Sequence, residues 1–222
     1  LGRLQGRSAM STLKLYSYFR SSAAYRVRIA LNLKGLAHEI APIHLLRGGG
    51  EHLGAEYRAR NPQGRIPALA VDGEVLTQSP AILEWLEETY PEPPLLPEDR
   101  LTRARVRAVV SIIACDIHPL GNLGVLNWLR GEFAATPGQI SDWLGHWMGE
   151  GLAAIETMLE GGAFCFGDSP TLADVCMVPQ VFNARRWGVP LDRYPKICAV
   201  DAACLALPAF QKASPGNQPD AE

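Results

Sequence analysis

The chain has 222 residues, of which 47% are hydrophobic and 20% charged; this composition is typical of a globular protein with a sizeable core and excludes a disordered chain. Its formal net charge of -2 provides no global positive field, so we expect neither a nucleic acid nor a membrane as a partner. We also expect no membrane-spanning helix, which needs roughly 20 consecutive apolar residues, and no secretory signal, so the predicted location is the cytoplasm.

The first predicted structural unit is a βαβ motif. Residues 1–10 lack hydrophobic periodicity and are interpreted as an upstream extension outside the fold. Residues 13–18 alternate in the manner of a strand, and apolar residues at helical spacing follow from Ala23 until Gly35, a residue type that commonly ends helices. Residues 39–45 form the next predicted strand. A strand, a helix and a strand within so short a span predict a right-handed parallel crossover.

A hairpin and a second helix are predicted to follow. Two strands, at residues 68–71 and 74–77, flank the turn Asp72-Gly73, and this pattern is typical of a β-hairpin. Ser79 is the predicted N-cap of a helix that runs towards Tyr90, with a proline at its first position. The predicted order of elements in this part is therefore βαβ followed by ββα.

The second half of the chain is predicted to be all-helical. Residues 91–98 are rich in proline and are interpreted as a linker between a domain at 11–90 and a helical domain at 99–222. In the helical domain, apolar residues recur at helical spacing and strand alternation disappears. Thr171 and Asp174 match a capping box, which indicates that Asp174 caps a buried helix.

Three turns of the predicted first domain carry polar side chains or backbone groups suited to a ligand. Ser21 and Ser22 lie where the first strand meets the first helix, where a hydroxyl either caps the helix or binds an anion. Ile66-Pro67 is either an edge-strand proline or a rigid turn whose backbone pairs with a peptide-like ligand. Gln78 and Ser79 form either a plain cap or a carboxylate site. Their position at one end of one sheet favours a shared binding site.

Fewer candidate residues lie in the predicted helical domain. His118 and Asn122 are four residues apart and share one helix face if that helix continues past Pro119. Arg186 is either a solvated charge or a guanidinium facing a cleft, where it would suit a carboxylate or an enolate. The five cysteines include no C-x-x-C pair, so we expect reduced thiols, no disulfide framework and no metal site. Residues 214–222 are expected to fray.

A set of motifs extends along the chain from about Leu13 to Asp220. Its segments are Leu-Tyr-Ser-Tyr-Phe-Arg-Ser-Ser-Ala-Ala-Tyr-Arg-Val-Arg-Ile-Ala-Leu at 15–31, Asn61-Pro62, Ile66-Pro67, Gln-Ser-Pro-Ala-Ile at 78–82, Asp-Ile-His-Pro-Leu at 116–120, Asp174 and Val-Pro-Gln-Val at 178–181. Together they resemble the zeta class of glutathione transferases. The resemblance implies an α/β, thioredoxin-like first domain, an all-helical second domain and a homodimer, in agreement with the elements predicted above.

The resemblance implies that the chain binds glutathione as a cofactor. Ser21 would donate a hydrogen bond that favours the glutathione thiolate, with Ser22 as the alternative hydroxyl. The other residues that the resemblance places against glutathione are His52, Ile66, Gln78, Ser79, His118 and Asn122. The characteristic reaction of the family is isomerisation of maleylacetoacetate to fumarylacetoacetate in aromatic amino-acid breakdown, by thiolate addition, bond rotation and elimination. Arg20 and Arg186 are the candidates for stabilising the enolate charge.

One departure from the family pattern affects the predicted activity. Zeta-class enzymes commonly have a cysteine after the two serines, whereas this chain has Ala23, so cysteine-dependent side activities are not expected. The related bacterial maleylpyruvate isomerases also vary here, which makes maleylpyruvate the alternative substrate. A general glutathione transferase, an α-haloacid dehalogenase and a non-catalytic glutathione-binding protein are further alternatives, because a fold does not prove an activity.

Overall fold

The computed structural model describes residues 12–222, so the predicted extension at residues 1–10 lies outside the described residues. Its N-terminal part contains a four-stranded sheet of order β2-β1-β3-β4. The strands are β1 (Leu13–Ser17), β2 (His38–Pro42), β3 (Ala68–Val71) and β4 (Glu74–Thr77). Strand β2 runs parallel to β1, whereas β3 runs antiparallel to both β1 and β4. The predicted βαβ unit and hairpin are therefore confirmed.

Helices surround this sheet and form the rest of the molecule. The N-terminal part contains α1 (Ser22–Leu33), the short α2 (Ala55–Arg58) and α3 (Ser79–Thr89). The C-terminal part is helical, as predicted, with α4 (Arg100–Ser111), α5 (Leu123–Glu132), α6 (Pro137–Met158), α7 (Leu172–Arg186), α8 (Pro195–Leu205) and α9 (Pro208–Ala213). Helix α2 is an addition, because no helix or strand was predicted between residues 45 and 68.

Helix α1 joins the two halves of the molecule. All its residues from 22 to 31 are buried, and the helix packs against α3, α7 and α9. It ends before Gly35, whose φ of 64° lies in the left-handed region, as predicted for a helix stop. Within the predicted linker, Leu95 and Leu96 are buried, and the Leu95 carbonyl accepts a hydrogen bond from Leu172 N at 2.8 Å. The apolar core is therefore continuous across the linker.

Several predicted element ends in the N-terminal part are wrong; the first strand, for example, ends at Ser17 rather than at residue 18. The second strand ends at Pro42 rather than at residue 45, because its one neighbour in the described sheet, β1, ends at Ser17, the residue paired with Pro42. The N-cap of α3 is Gln78, with φ of 66° and ψ of 112°, rather than Ser79. Ser79 already belongs to the first turn, where its hydroxyl accepts a hydrogen bond from Arg26.

The helix expected to carry His118 and Asn122 on one face does not continue past Pro119. Helix α4 passes into a π-helical turn at Ile112–Ile117 and then a 3₁₀ turn at His118–Gly121. Asn122 has extended backbone, with ψ of 143°, and is the N-cap of α5. The reason is that Pro119 lacks the N–H that a continuing α-helix requires.

An apolar window within Arg100–Glu132 also departs from the prediction. Its mean hydropathy of 1.6 would allow a membrane span by length and composition, although we expected no such stretch. The changes in backbone conformation from residue 112 to residue 122 divide this range into separate elements. Helix α4 packs against α7 and the π-helical turn against α6, so the range is built into the helical part of the fold.

The C-terminal tail packs against the N-terminal part, and the prediction that residues 214–222 fray is wrong. The carboxylate of Asp220 accepts a hydrogen bond from Phe19 N at 2.9 Å. Just before the tail, the Ala213 carbonyl accepts a hydrogen bond from the buried Arg28 guanidinium, also at 2.9 Å. Both bonds join residues that are far apart in sequence, so local propensity gave no signal for them.

The predicted capping box at the start of α7 is confirmed. Asp174 Oδ2 accepts hydrogen bonds from the N–H and the hydroxyl of Thr171, at 2.7 and 2.8 Å. Asp174 Oδ1 accepts a third bond from Cys165 N at 2.8 Å. The residue has no exposed surface, so its carboxylate joins the start of α7 to the preceding loop inside the core.

We predict that Asp174→Ala lowers the free energy of unfolding by about 3 kcal/mol or more, because it leaves two buried backbone N–H groups without acceptors. Urea unfolding followed by circular dichroism measures this change. Asp99→Ala is the matched control: Asp99 caps α4 through Thr102 N at 2.7 Å but is exposed, so its loss should cost about 1 kcal/mol. Equal losses in the two variants would contradict the buried role of Asp174.

Candidate active site

Two adjoining cavities lie where turns of the sheet part meet the helical part. The larger cavity, with a volume of about 480 Å³, is bounded by the β1–α1 junction, by the segment before β3 and by α7. The smaller cavity, of about 350 Å³, lies beside the N-terminus of α3. The residues that line both cavities are Gln63, Arg65, Ile66, His118 and Asn122. The cavities therefore meet and together suit an extended ligand.

Ser21 is the N-cap of α1 and lines the larger cavity. Its Oγ accepts a hydrogen bond from Ala24 N at 3.2 Å, so the hydroxyl caps the helix. An accepting hydroxyl keeps its own proton free to donate, and the half-buried side chain borders the cavity. The partial positive charge of the helix N-terminus acts at the same point. Capping and anion binding, the two interpretations of this serine, are therefore compatible.

Ser22 has a different environment from its neighbour. It is buried, and its Oγ lies 3.0 Å from His118 Nδ1, which is a hydrogen-bond distance. Burial, together with the charges of Arg26 and Arg65, lowers the pKa of His118 to about 3. The imidazole is therefore neutral at physiological pH and can accept the Ser22 hydroxyl proton. The two serines thus have separate partners: Ser21 accepts from the Ala24 N–H within α1, and Ser22 pairs with the His118 imidazole of the helical part.

Arg20 and Arg186 both line the larger cavity. Arg20 donates from Nη2 to the Tyr18 hydroxyl at 2.9 Å, and its buried Nε has no partner among the residues described. Burial, and after it the neighbouring positive charge of Arg20, lower the pKa of Arg186. Within residues 12–222 neither has a carboxylate partner, and this arrangement favours a bound anion.

The cavity walls are cationic although the whole chain is weakly negative. In the described part of the chain, no acidic residue lines either cavity. His52 lines the larger cavity, and its buried Nδ1 finds no partner within the described structure. Burial and the charges of Arg58 and Arg65 lower the pKa of His52. Both of these arginines line the larger cavity as well, so an entering anion is attracted.

The remaining predicted site residues are divided between the two cavities. Ile66, whose bond to the following proline is cis, borders both. Gln78 and Ser79 border the smaller cavity, as does Ala23 at the position of the departure from the family pattern. Asn122 borders both cavities, although its side chain accepts a hydrogen bond from Gly124 N as the cap of α5. Every predicted site residue thus lines a cavity, while the individual roles stay predictions.

Sequence reasoning missed two buried polar residues of the cavity walls. Gln180 has no exposed surface, and neither end of its amide has a partner in the part of the chain that the structure describes. Arg26 is 1% exposed, and its Nε and Nη2 atoms are likewise without partners among residues 12–222. Both lie in helices that are otherwise mostly apolar and buried. A polar residue in such an apolar helix could have been noticed in the sequence. It indicates a specific partner, because a buried polar group normally has a hydrogen-bond partner.

The fold and this site define a glutathione transferase. The family model described as the N-terminal domain of glutathione S-transferase matches residues 20–89, and the model of the C-terminal domain matches residues 148–199. Together the two models cover more than half of the 222 residues. The chain belongs to the glutathione S-transferase family.

Similar proteins narrow this membership to the zeta class. A Pseudomonas aeruginosa protein named maleylacetoacetate isomerase is 54% identical over 94% of this chain and 98% of its own length. A solved maleylpyruvate isomerase, described as a bacterial zeta-class enzyme, has a TM-score of 0.91 at 50% identity and covers 94% of this chain and 100% of its own. A solved maleylacetoacetate isomerase from Anaeromyxobacter dehalogenans holds dicarboxyethyl glutathione and citrate in its active site; its TM-score is 0.86 at 46% identity, with 97% and 96% of the two chains covered.

We predict that His118 makes the protein less stable in mild acid. The unfolded chain binds a proton at His118 near pH 6.5, whereas the folded chain resists protonation down to about pH 3. Folded stability is therefore fully present above pH 6.5 and is lost as the pH falls from 6.5 towards 3. Between pH 7.5 and pH 5, the free energy of unfolding should fall by about 2 kcal/mol more in wild type than in His118→Gln.

Urea unfolding of both proteins at the two pH values measures this difference. His146→Gln is the control, because His146 is exposed on α6 and borders neither cavity. Its pH dependence should follow that of wild type. The same pH dependence in wild type and in His118→Gln would show that His118 is not held neutral by the fold.

Proposed function

We propose that this protein is a glutathione-dependent isomerase that converts maleylacetoacetate to fumarylacetoacetate. The observation that carries the proposal is the Ser21 hydroxyl at the N-terminus of α1, which acts as an acceptor in the helix cap and so can still donate its proton, beside a cavity whose described walls are cationic and without acidic residues. A thiolate and a dicarboxylic acid are the anions that such walls stabilise. The name of the Pseudomonas relative and the dicarboxyethyl glutathione bound by the Anaeromyxobacter relative support the same substrate class.

The cavity residues fit glutathione. Buried nitrogens without partners in the described structure, on Arg26 and His52, border different cavities and suit a ligand with carboxylates at both ends. By the family resemblance, Gln78 and Ser79 would hold the γ-glutamyl end in the smaller cavity. Ile66 borders both cavities and would pair with the cysteinyl backbone between them. His52 would contact the tripeptide from the larger cavity, with His118 and Asn122 approaching from the helical part.

When bound, glutathione would supply a thiolate nucleophile for reversible addition to the cis double bond of the substrate, which would allow rotation about the resulting single bond. Ser21 donates its proton towards the sulfur, and the α1 N-terminus adds positive charge, so both favour the ionised thiol. Arg20 and Arg186 stabilise the enolate charge of the substrate and grip its carboxylate. His118 remains neutral and holds Ser22, so it adds no charge to the wall.

Maleylpyruvate is the alternative substrate. It is favoured by the TM-score of 0.91 and the 50% identity to the solved maleylpyruvate isomerase. Ser21, Arg20 and Arg186 would have the same roles with maleylpyruvate, because this shorter keto acid also has a cis double bond that accepts a thiolate. We place maleylacetoacetate first because the relative at 54% identity carries that name.

The cellular setting follows from this activity and from the family resemblance. We place the enzyme in the cytoplasm, as a homodimer, in the breakdown of aromatic amino acids. The proposed homodimer is tested by light scattering after size-exclusion chromatography, which should give about twice the chain mass of 24.2 kDa. A mass of one chain would contradict the homodimer.

We predict that Ser21→Ala lowers glutathione-dependent turnover about 100-fold, because the thiolate loses a donated hydrogen bond. An absorbance assay follows the disappearance of maleylacetoacetate and maleylpyruvate, each with and without glutathione. Ser22→Ala is the matched control, since Ser22 faces His118 and should have the smaller effect. Thermal melts should accompany both variants, because loss of the Ser21 cap costs about 1 kcal/mol.

The outcomes separate the competing functions. If one acid is turned over by wild type and turnover is largely lost in Ser21→Ala, that acid is the substrate and Ser21 is required for the reaction. Turnover of neither acid, with saturable glutathione binding, would replace the isomerase by a general transferase, a dehalogenase or a non-catalytic binding protein. Product analysis with a chlorinated acid then tests the dehalogenase.

A further inference from the structure

Arg26 is a buried cation whose charge has no anionic partner in the described structure. It lies on α1, is 1% exposed and lines the smaller cavity. Its Nη1 donates to Ser79 Oγ at 3.2 Å, whereas Nε and Nη2 have no acceptor among residues 12–222. A buried charge is normally paired, because its removal from water is otherwise costly. The free donors therefore point to an anionic ligand in the smaller cavity.

Arg28, on the same helix, shows that burial alone does not leave such donors free. It is also 1% exposed, but it lines neither cavity. Its guanidinium donates to the Ala213 carbonyl at 2.9 Å, to Ser17 Oγ at 3.0 Å and to the Phe19 carbonyl at 3.0 Å. Each guanidinium nitrogen of Arg28 thus has a partner within the fold, whereas only Nη1 of Arg26 has one among the described residues.

The position of Arg26 decides which anion it meets. Ser21, Arg20 and Arg186, the residues proposed to act on the reacting atoms, line the larger cavity and not the smaller one. A substrate carboxylate bound by Arg20 and Arg186 therefore lies in the larger cavity. The smaller cavity, beside the N-terminus of α3, is bordered by Gln78 and Ser79, which the family resemblance places at the γ-glutamyl end of glutathione, so the anionic group expected there is the γ-glutamyl carboxylate.

We propose that Arg26 binds the γ-glutamyl carboxylate of glutathione jointly with Ser79; this inference rests on the proposed function. Arg26 uses an acceptor site of the Ser79 hydroxyl, so that hydroxyl keeps its proton to donate to the carboxylate. The Nε and Nη2 donors of the guanidinium add charge-assisted bonds. The enzyme thereby selects thiols that carry a free carboxylate at this end.

The experiment compares glutathione with γ-aminobutyryl-cysteinylglycine, which is glutathione with only that carboxylate replaced by hydrogen. Isothermal titration calorimetry gives the Kd of each ligand for wild type and for Arg26→Met. Wild type should bind glutathione about 10- to 100-fold more tightly than the analogue. In Arg26→Met this ratio should fall towards unity, because the glutathione carboxylate loses its charged partner and keeps only the Ser79 hydroxyl, while the analogue has no carboxylate there.

Stability gives a second readout, which a merely structural arginine would not satisfy. Arg26→Met removes a buried charge without an anionic partner, so the Tm of the ligand-free protein should be unchanged or higher. Arg28→Met is the matched control: it removes donors that the fold uses, so it should lower the Tm and keep the wild-type ratio of the two Kd values. If Arg26→Met does not fold, Arg26→Gln is the second neutral variant.

The ratio of the two Kd values decides the outcome. A folded neutral variant at position 26 that keeps the wild-type ratio overturns the proposal, as does a wild type that binds both ligands equally. If wild type binds no glutathione at all, the proposed function fails, and this result is distinct from loss of the carboxylate preference alone.

Discussion

The complete burial of the first ten residues of α1 is the constraint on which the site depends. A polar side chain on such a helix cannot reach water, so each one needs a partner inside the protein. Ser22 finds His118, and Arg28 finds backbone carbonyls of the loop before α1 and of the chain just before the tail. Arg26 has Ser79 and a cavity. The polarity of the site therefore follows from the placement of one helix between the two halves of the molecule.

The charge of the site is a local property that the net charge conceals. Many acidic side chains are on the exterior and pair with basic residues there, as Glu39 does with Lys14 and Glu84 with Arg107. No such pairing occurs along the described cavity walls, where Arg20 and Arg186 remain without carboxylates. A chain of formal charge -2 thus contains a region that attracts anions. This arrangement suits a reaction whose cofactor and substrate both carry carboxylates.

Sequence reasoning succeeded where the determinants are local. The alternation in β1, the Asp72-Gly73 turn and the Thr171–Asp174 box each specify their structure within a few residues, and all are present. It failed where a partner lies far away. The tail was expected to fray, because local sequence gives no sign of the hydrogen bond that Phe19 N donates to Asp220 across 201 positions. The cap of α3 was misplaced by one residue: the backbone is non-helical at Gln78, and Ser79 lies inside the helix, where its hydroxyl accepts a hydrogen bond from Arg26, 53 positions away.

The sequence by itself determined the order and type of the elements, the motifs of the zeta class and the set of polar residues at the turns. These features are encoded by periodicity, by turn chemistry and by short motifs, all of which act over a few residues. Only the tertiary structure decided which of those residues face a cavity and which are used by the fold. Arg26 and Arg28 show the reason: they are the same residue type, equally buried and on the same helix, yet only Arg28 has its donors satisfied by distant carbonyls. Whether a buried donor remains free for a ligand depends on what the rest of the chain brings to it, and that is set by packing.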